Sequence, residues 1–219
     1  EATEIASQGT ALVSIPRVGP GTDDKGVSVY SINKVFANTL FDKDGKIASL
    51  NVDILEVATP NYDGADMPHF SGFTGQSYNN DENHDEKIDG TLTVTDDSFL
   101  AEINGWATKR ERGDAYKLGS GTWTEEMDYF EDLFVGMTVE EVVAWNDKYT
   151  SDVNGRPLKA DSDKEGDQAK YAALSEADKA ELADVVSSAT MSLTDAHGDI
   201  IAAIVKSFEN RMELNLMIK

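Results

Sequence analysis

Two runs rich in Val, Ile, Tyr and Phe, GVSVYSINKVFANTLF over residues 26–41 and KIASLNVDILEVA over residues 46–58, are separated only by Asp42-Lys43-Asp44-Gly45. β-Branched and aromatic residues suit a pleated, half-buried surface, and the Asp-Gly pair supplies residues able to take left-handed dihedrals. The arrangement predicts a hairpin and commits this part of the chain to antiparallel sheet. Residues 9–15 (GTALVSI) share the composition and predict a further strand. Val52, Ile54 and Val57 fall near alternating positions, as one buried face requires.

Residues 60–90 shift to Asn, Asp, Gly and His with scattered aromatics, which reads as a long loop of the kind that often carries function. Beyond them the period changes to that of helices. Over 124–134, Met127, Phe130, Leu133 and Phe134 share one helical face and Gly136 stops the helix. Thr138-Val139-Glu140-Glu141 is a capping box that opens a second helix through about Tyr149, with Val139, Val142 and Val143 inward. Residues 150–166 are polar and predict a solvated connection, and Ser175-Glu176-Ala177-Asp178 starts a third helix toward Val186. Thr194 is expected to cap a fourth, whose stripe is Ala196, Ile200, Ile201, Ile204, Val205 and Phe208. Strands followed by helices, without an internal repeat, predict an α+β fold with an antiparallel sheet from the N-terminal half packed by helices from the C-terminal half. At 219 residues the expectation is a single domain, 1–219, with a loop insertion around 60–90 and a polar connection around 150–166.

Acidic residues number 41 against 19 basic ones, a net charge of −22, which repels a phosphate backbone and argues against nucleic acid as a partner. With no cysteine, disulfides, thiol catalysis and iron–sulfur ligation are excluded within the chain. The apolar stretches, such as residues 200–205, are far shorter than the roughly 20 residues needed to cross a bilayer. The sequence opens on Glu1 rather than Met, so a signal peptide or lipid-bearing residue is expected to have preceded it.

The most specific local pattern is Asp184-Val185-Val186-Ser187-Ser188-Ala189-Thr190. Small hydroxyl residues between the ends of two expected helices suggest free backbone N–H groups and a helix dipole that favour a phosphate, with little bulk to keep a ligand off the main chain. The same residues also read as a helix–helix connection with capping hydroxyls. They resemble the flavinylation motif of FMN-binding domains: Asp, two variable residues, Ser or Thr, Ser or Gly, Ala, Thr. The family includes subunits C and G of sodium-pumping and Rnf-type oxidoreductases. GWATKRERGDAY (residues 105–116), SGTW (120–123), FVGMTVEEVVAW (134–145) and ATMSLTDAHGDIIAAI (189–204) are similar to extracytosolic FMN-binding lipoproteins. The resemblance implies FMN joined through its phosphate to Thr190, with Asp184, Ser187, Ser188 and Ala189 forming the segment that a flavin transferase recognises. It further implies an extracytoplasmic electron carrier, lipid-anchored at the cell surface, that serves a membrane or extracellular redox partner and meets the membrane only through an anchor outside this chain.

Two further clusters are candidates. Lys109, Arg110 and Arg112 form a dense basic group among Trp106, Tyr116 and Trp123. A phosphate or the electron-rich edge of a flavin calls for a cation and its ring for an aromatic face, although salt bridging to surface carboxylates would use the same residues. In Asp81-Glu82-Asn83-His84-Asp85-Glu86-Lys87-Ile88-Asp89, the side chains of Asp81, Asn83, Asp85 and Asp89 and the carbonyl of Lys87 follow a calcium loop, making Ca2+ a candidate ligand. Glu86 replaces the turn glycine and Leu92 the closing carboxylate, so a solvated acidic loop is the competing reading. His69, His84 and His197 are too scattered for a zinc set, and His197 is expected in the first turn of the last helix in a surface or packing role. The alternative to an electron carrier is a surface binding or structural module, calcium-stabilised and without a working flavin.

Overall fold

The computed structural model describes residues 4–22, 28–60, 67–81 and 87–214. Its centre is a four-stranded antiparallel sheet in the order β3-β2-β1-β8, from β1 (Ile5–Thr22), β2 (Ser28–Asp42), β3 (Ile47–Ala58) and β8 (Met212–Glu213). The expected hairpin joins β2 to β3. Asp42 closes it by accepting the N–H groups of Asp44 and Lys46 on Oδ1 at 2.9 and 2.8 Å, and Gly45 takes φ +78°. One face of the sheet is buried: Val35, Ala37 and Phe41 of β2 and Val52 and Ile54 of β3 are closed to solvent. The other carries exposed Leu12, Val18, Tyr30 and Ile32.

Helices from the second half cover the inner face, as the α+β expectation requires. Helix α3 (Trp123–Phe134) lies against β3, while α4 (Val139–Tyr149) packs on the last helix, α7 (Ile200–Glu209), which lies over β1 and β2. Thr122 and Thr138 cap α3 and α4, with Glu125 and Glu141 completing reciprocal capping boxes. Phe130 stacks on Phe134 at 6.1 Å, and Trp145 meets both edge-on at 6.0 and 5.6 Å. Burying rings of this size contributes most of the local hydrophobic stabilisation, about 25 cal/mol for each Å² removed from water.

Three segments differ from expectation. The described parts of residues 60–90 are not loop throughout, because β4 (Ser77–Asn80) pairs antiparallel with β5 (Gly90–Thr93). Thr95 caps a helix α1 (Asp96–Asn104), and the polar connection ends in α5 (Glu165–Ala172). Thr194 does not cap the last helix. It begins a small hairpin of β6 (Thr194–Asp195) and β7 (Gly198–Asp199), and Asp199 caps α7 by accepting the N–H of Ala202 at 2.8 Å. Ala196 is therefore an exposed turn residue outside the helical stripe, and His197 lies in that turn rather than in a helix.

Candidate functional site

Helix α6 (Glu176–Ser188) carries most of the Asp184–Thr190 segment. Val185 and Ala189 point into the core, at 1% and 0% exposure, which leaves Asp184, Ser187 and Ser188 on the outer face. The Ser187 hydroxyl is turned back onto the Asp184 carbonyl at 2.7 Å. Ala189 then leaves the helix in an extended conformation, and Thr190 follows, half-buried. The expected phosphate cradle at a helix N-terminus is absent here, because α7 begins only at Ile200.

The N–H groups of Thr190 and Met191 are not free either. Both donate to Oε2 of Glu126 at 2.7 Å, while Ser120 N–H donates to Oε1 at 3.2 Å. Glu126 is fully buried in α3. Its carboxylate thus ties the Thr190 segment to the 117–121 loop, and the Ser120 hydroxyl donates to the Thr190 hydroxyl at 3.3 Å.

Beside this clasp lies a cleft of about 220 Å³. Ile54, Leu118 and Met191 give it apolar walls, Tyr116 and Trp123 aromatic ones, and Lys109, Arg156, Asp195 and His197 its charge and polarity. Thr190 directly precedes Met191, which lines the cleft, and its hydroxyl meets that of Ser120, two residues beyond the lining residue Leu118.

Under the cleft runs a buried ionic chain. Helix α2 (Lys109–Arg112), capped by Thr108, sends Lys109 inward at 4% exposure, with Nζ 3.2 Å from Oε2 of Glu56 and 5.4 and 5.9 Å from the ring centroids of Tyr116 and Trp123. The other oxygen of Glu56, Oε1, meets Nδ1 of His197 at 2.9 Å. Burial would raise the Glu56 carboxyl, but the His197 hydrogen bond and the Lys109 charge together hold it down at about 2. Burial likewise works against the Lys109 ammonium, and the charge of Glu56 overrides it and pushes Lys109 up.

The structure brings Lys109, Tyr116 and Trp123 together around the cleft, and Thr190 is next in the chain to its lining residue Met191. Arg110 and Trp106 go elsewhere. The Arg110 guanidinium bridges Asp128 and Glu131 at 2.6 Å each and the carbonyl of Val52 at 2.7 Å, and the Trp106 indole donates to the carbonyl of His69 at 2.8 Å. Arg112 lies 4.4 Å over the Tyr116 ring. Of the candidate calcium ligands, Asn83 and Asp85 fall outside the described residues, Asp81 is buried, and Lys87 and Asp89 are exposed. Among the described residues no group of three or more His, Asp or Glu side chains is placed to hold a metal ion.

Sequence reasoning missed Glu126 and Glu56 and gave His197 a surface or packing role. Glu126 precedes Phe130 and Phe134 at helical spacing of four, and Glu56 follows Val52 and Ile54 at strand spacing of two, so both carboxylates sit on faces that had to be buried. A carboxylate on an apolar face was the available signal.

No family model matches the chain, and no solved structure matches it. Over 196 residues the chain is 36% identical to a chlorophenol reductase of Desulfitobacterium hafniense, a match that covers 84% of this chain and 52% of that protein. The chain therefore spans about half the length of the curated relative it matches, and its similarity is to a protein of redox name.

Proposed function

We propose that the chain is an extracytosolic electron carrier whose flavin, FMN, is esterified through its phosphate to the hydroxyl of Thr190. The observation that carries this reading is the position of Thr190: the last residue of the motif directly precedes Met191, a lining residue of an aromatic-walled cleft that Lys109 also lines. The residues present fit such a group. Tyr116, Leu118, Trp123 and Met191 offer flat apolar walls for a ring system, and Lys109 offers a positive charge to an electron-rich ring edge. At about 220 Å³ the cleft is smaller than the roughly 300–1,000 Å³ of pockets that enclose a whole ligand. It suits a ring whose ribityl phosphate remains outside, tied to Thr190.

When bound, FMN would supply reversible electron transfer, and the protein the rest. Glu126 fixes the backbone of Thr190 so that the hydroxyl keeps one position relative to the cleft. Covalent attachment suits a location outside the cytosol, where a cofactor that dissociated would be diluted, whereas a tether keeps its effective concentration high. A flavin transferase for maturation, a membrane or extracellular redox partner and a lipid anchor outside this chain belong to the same proposal. The name of the reductase relative supports a place in a reductive electron chain.

Intact mass of the protein made with and without a flavin transferase tests this reading. The expected result is a gain of one FMN less one water, mapped to the peptide bearing Thr190 and absent from Thr190→Ala. No gain, with the transferase active on a control substrate, overturns it and leaves a binding or structural module.

A further inference from the structure

The two oxygens of Glu56 serve different partners, Lys109 through Oε2 and His197 Nδ1 through Oε1. A carboxylate that stays ionised can only accept, so Nδ1 of His197 must carry its hydrogen. The ring is then fixed in one tautomer. Its other nitrogen, Nε2, exchanges a proton without disturbing the bond to Glu56. The His197 side chain lines the cleft and is 34% exposed, so the ring meets both the cleft and solvent. Its backbone is also held, because its N–H donates to Asp195 Oδ1 at 2.8 Å and the neighbouring Ala196 carbonyl accepts from Asn33 Nδ2 at 2.6 Å.

We propose that His197, aimed by Glu56, is the proton-exchanging group of the cleft. The inference rests on the flavin reading of the site and deepens it. Electrons come from outside, from a reduced carrier. In its protonated form the ring would give the proton on Nε2 to a ring nitrogen of the bound group as a pair of electrons entered it, one N–H bond breaking on His197 and one forming on the ligand. The imidazole left behind is neutral, still donates from Nδ1 to Glu56, and refills from solvent. Lys109, which cannot leave Glu56 without burying an unpaired charge, stays a fixed cation beside the negative charge that remains. On reoxidation the proton returns by the same route. The charged and titratable groups around His197 are Glu56 from β3, Lys109 from α2, Tyr116 beyond it, Arg156 from the loop after α4 and Asp195 from its own hairpin.

The test has two readouts. Nitrogen NMR of the flavin-free protein reports the tautomer of His197. The expected result is hydrogen on Nδ1 in the neutral ring of the wild type and a mixture of tautomers in Glu56→Gln; a wild type with hydrogen on Nε2 overturns the proposal. In flavinylated protein, the rate of reduction by an excess of a small reductant is followed by stopped-flow absorbance in water and in deuterium oxide. The wild type is expected to be slowed in deuterium oxide, and His197→Gln, a turn residue whose backbone contacts remain, to be reduced at least about tenfold more slowly in water. An unchanged rate in flavinylated His197→Gln also overturns it. Intact mass of each sample separates the outcomes: no flavin on the wild type fails the reading of the site, whereas flavin with an unchanged rate fails His197 alone.

Discussion

Removing the Glu126 side chain would leave the N–H groups of Ser120, Thr190 and Met191 without their acceptor, Met191 buried, Thr190 half-buried and Ser120 exposed. A donor orphaned away from water costs about 1–3 kcal/mol, while exposed Ser120 can turn to solvent, so Glu126→Ala should lower stability by about 2 kcal/mol, read as a lower denaturant midpoint with the slope unchanged. Glu126→Gln keeps the shape but replaces one acceptor oxygen by a donor, and should lie between the two. An unaltered midpoint in the alanine variant would mean that water takes over the role. Glu56 makes a different prediction, in pH. Its carboxyl is held at about 2 in the fold against an ordinary value of 4.5, so the folded state binds the proton more weakly than the unfolded chain. Its contribution is complete above 4.5 and disappears as the pH falls toward 2, on the order of 3 kcal/mol in all. Glu131 has the opposite sign, because burial, opposed by Val52 N–H and Arg110, still leaves its carboxyl raised. The effect of Glu56 is therefore read as a difference: Glu56→Gln should flatten the acid limb relative to the wild type and, with Lys109 left unpaired, lower stability at neutral pH. Parallel acid limbs in the two proteins would refute the assignment.

Between α4 and α5 the chain makes a turn whose Gly155 has φ +64° and lies against β6. A Cβ there would stand 2.4 Å from the carbonyl oxygen of Thr194 and 2.6 Å from its nitrogen, and the Gly155 carbonyl accepts the N–H of Leu193 at 2.9 Å. Backbone cannot retreat as a flexible side chain can, so Gly155→Ala combines an unfavourable dihedral with a displaced β6–β7 hairpin, at a cost of about 2 kcal/mol or more. Calorimetry should show a lower melting temperature, and the NMR signals of His197 should shift with it. A variant that melts with the wild type would detach this turn from the hairpin. The same hairpin marks the limit of what the sequence discloses. The β2–β3 turn and helices α3, α4 and α6 are legible because their signals are local: Asp-Gly, capping boxes and periodic apolar residues within one segment. Thr194-Asp195-Ala196-His197 looks equally like a helix start. Distant groups decide otherwise, since Asn33 of β2 holds the Ala196 carbonyl and Glu56 of β3 holds the His197 ring. The site divides in the same way. The motif draws attention to Thr190, whereas the spacing that buries Glu126 and Glu56 was present in the sequence and went unread. That Lys109 enters the cleft while Arg110 turns to Asp128 and Glu131 depends on partners far away in sequence, which no local pattern encodes.

Across the whole molecule the charge of −22 and the cations in the cleft pull a reductant in opposite directions. Range decides between them. Screening limits an exposed charge to about 10 Å at 0.1 M salt and about 30 Å at 0.01 M. An approaching reductant in dilute buffer therefore feels the whole negative surface, and in concentrated salt only the last contacts, where Lys109 and Arg156 line the cleft. For a molecule still outside the cleft, Lys109 is buried and paired with Glu56 at 3.2 Å, so Arg156 is the cleft cation that it meets. If the cleft holds the electron-accepting group, a cationic one-electron reductant should reduce the flavinylated protein faster than an anionic one of matched driving force at low ionic strength. The ratio of the two rates, followed by stopped-flow absorbance, should fall steeply as salt is added, because steering of this kind changes encounter rates by factors of about 10 to 1,000. A ratio that does not move with salt would mean that the acidic surface faces away from the approach to the cleft. A ratio that favours the anion throughout would mean that Arg156, and not the net charge, governs access.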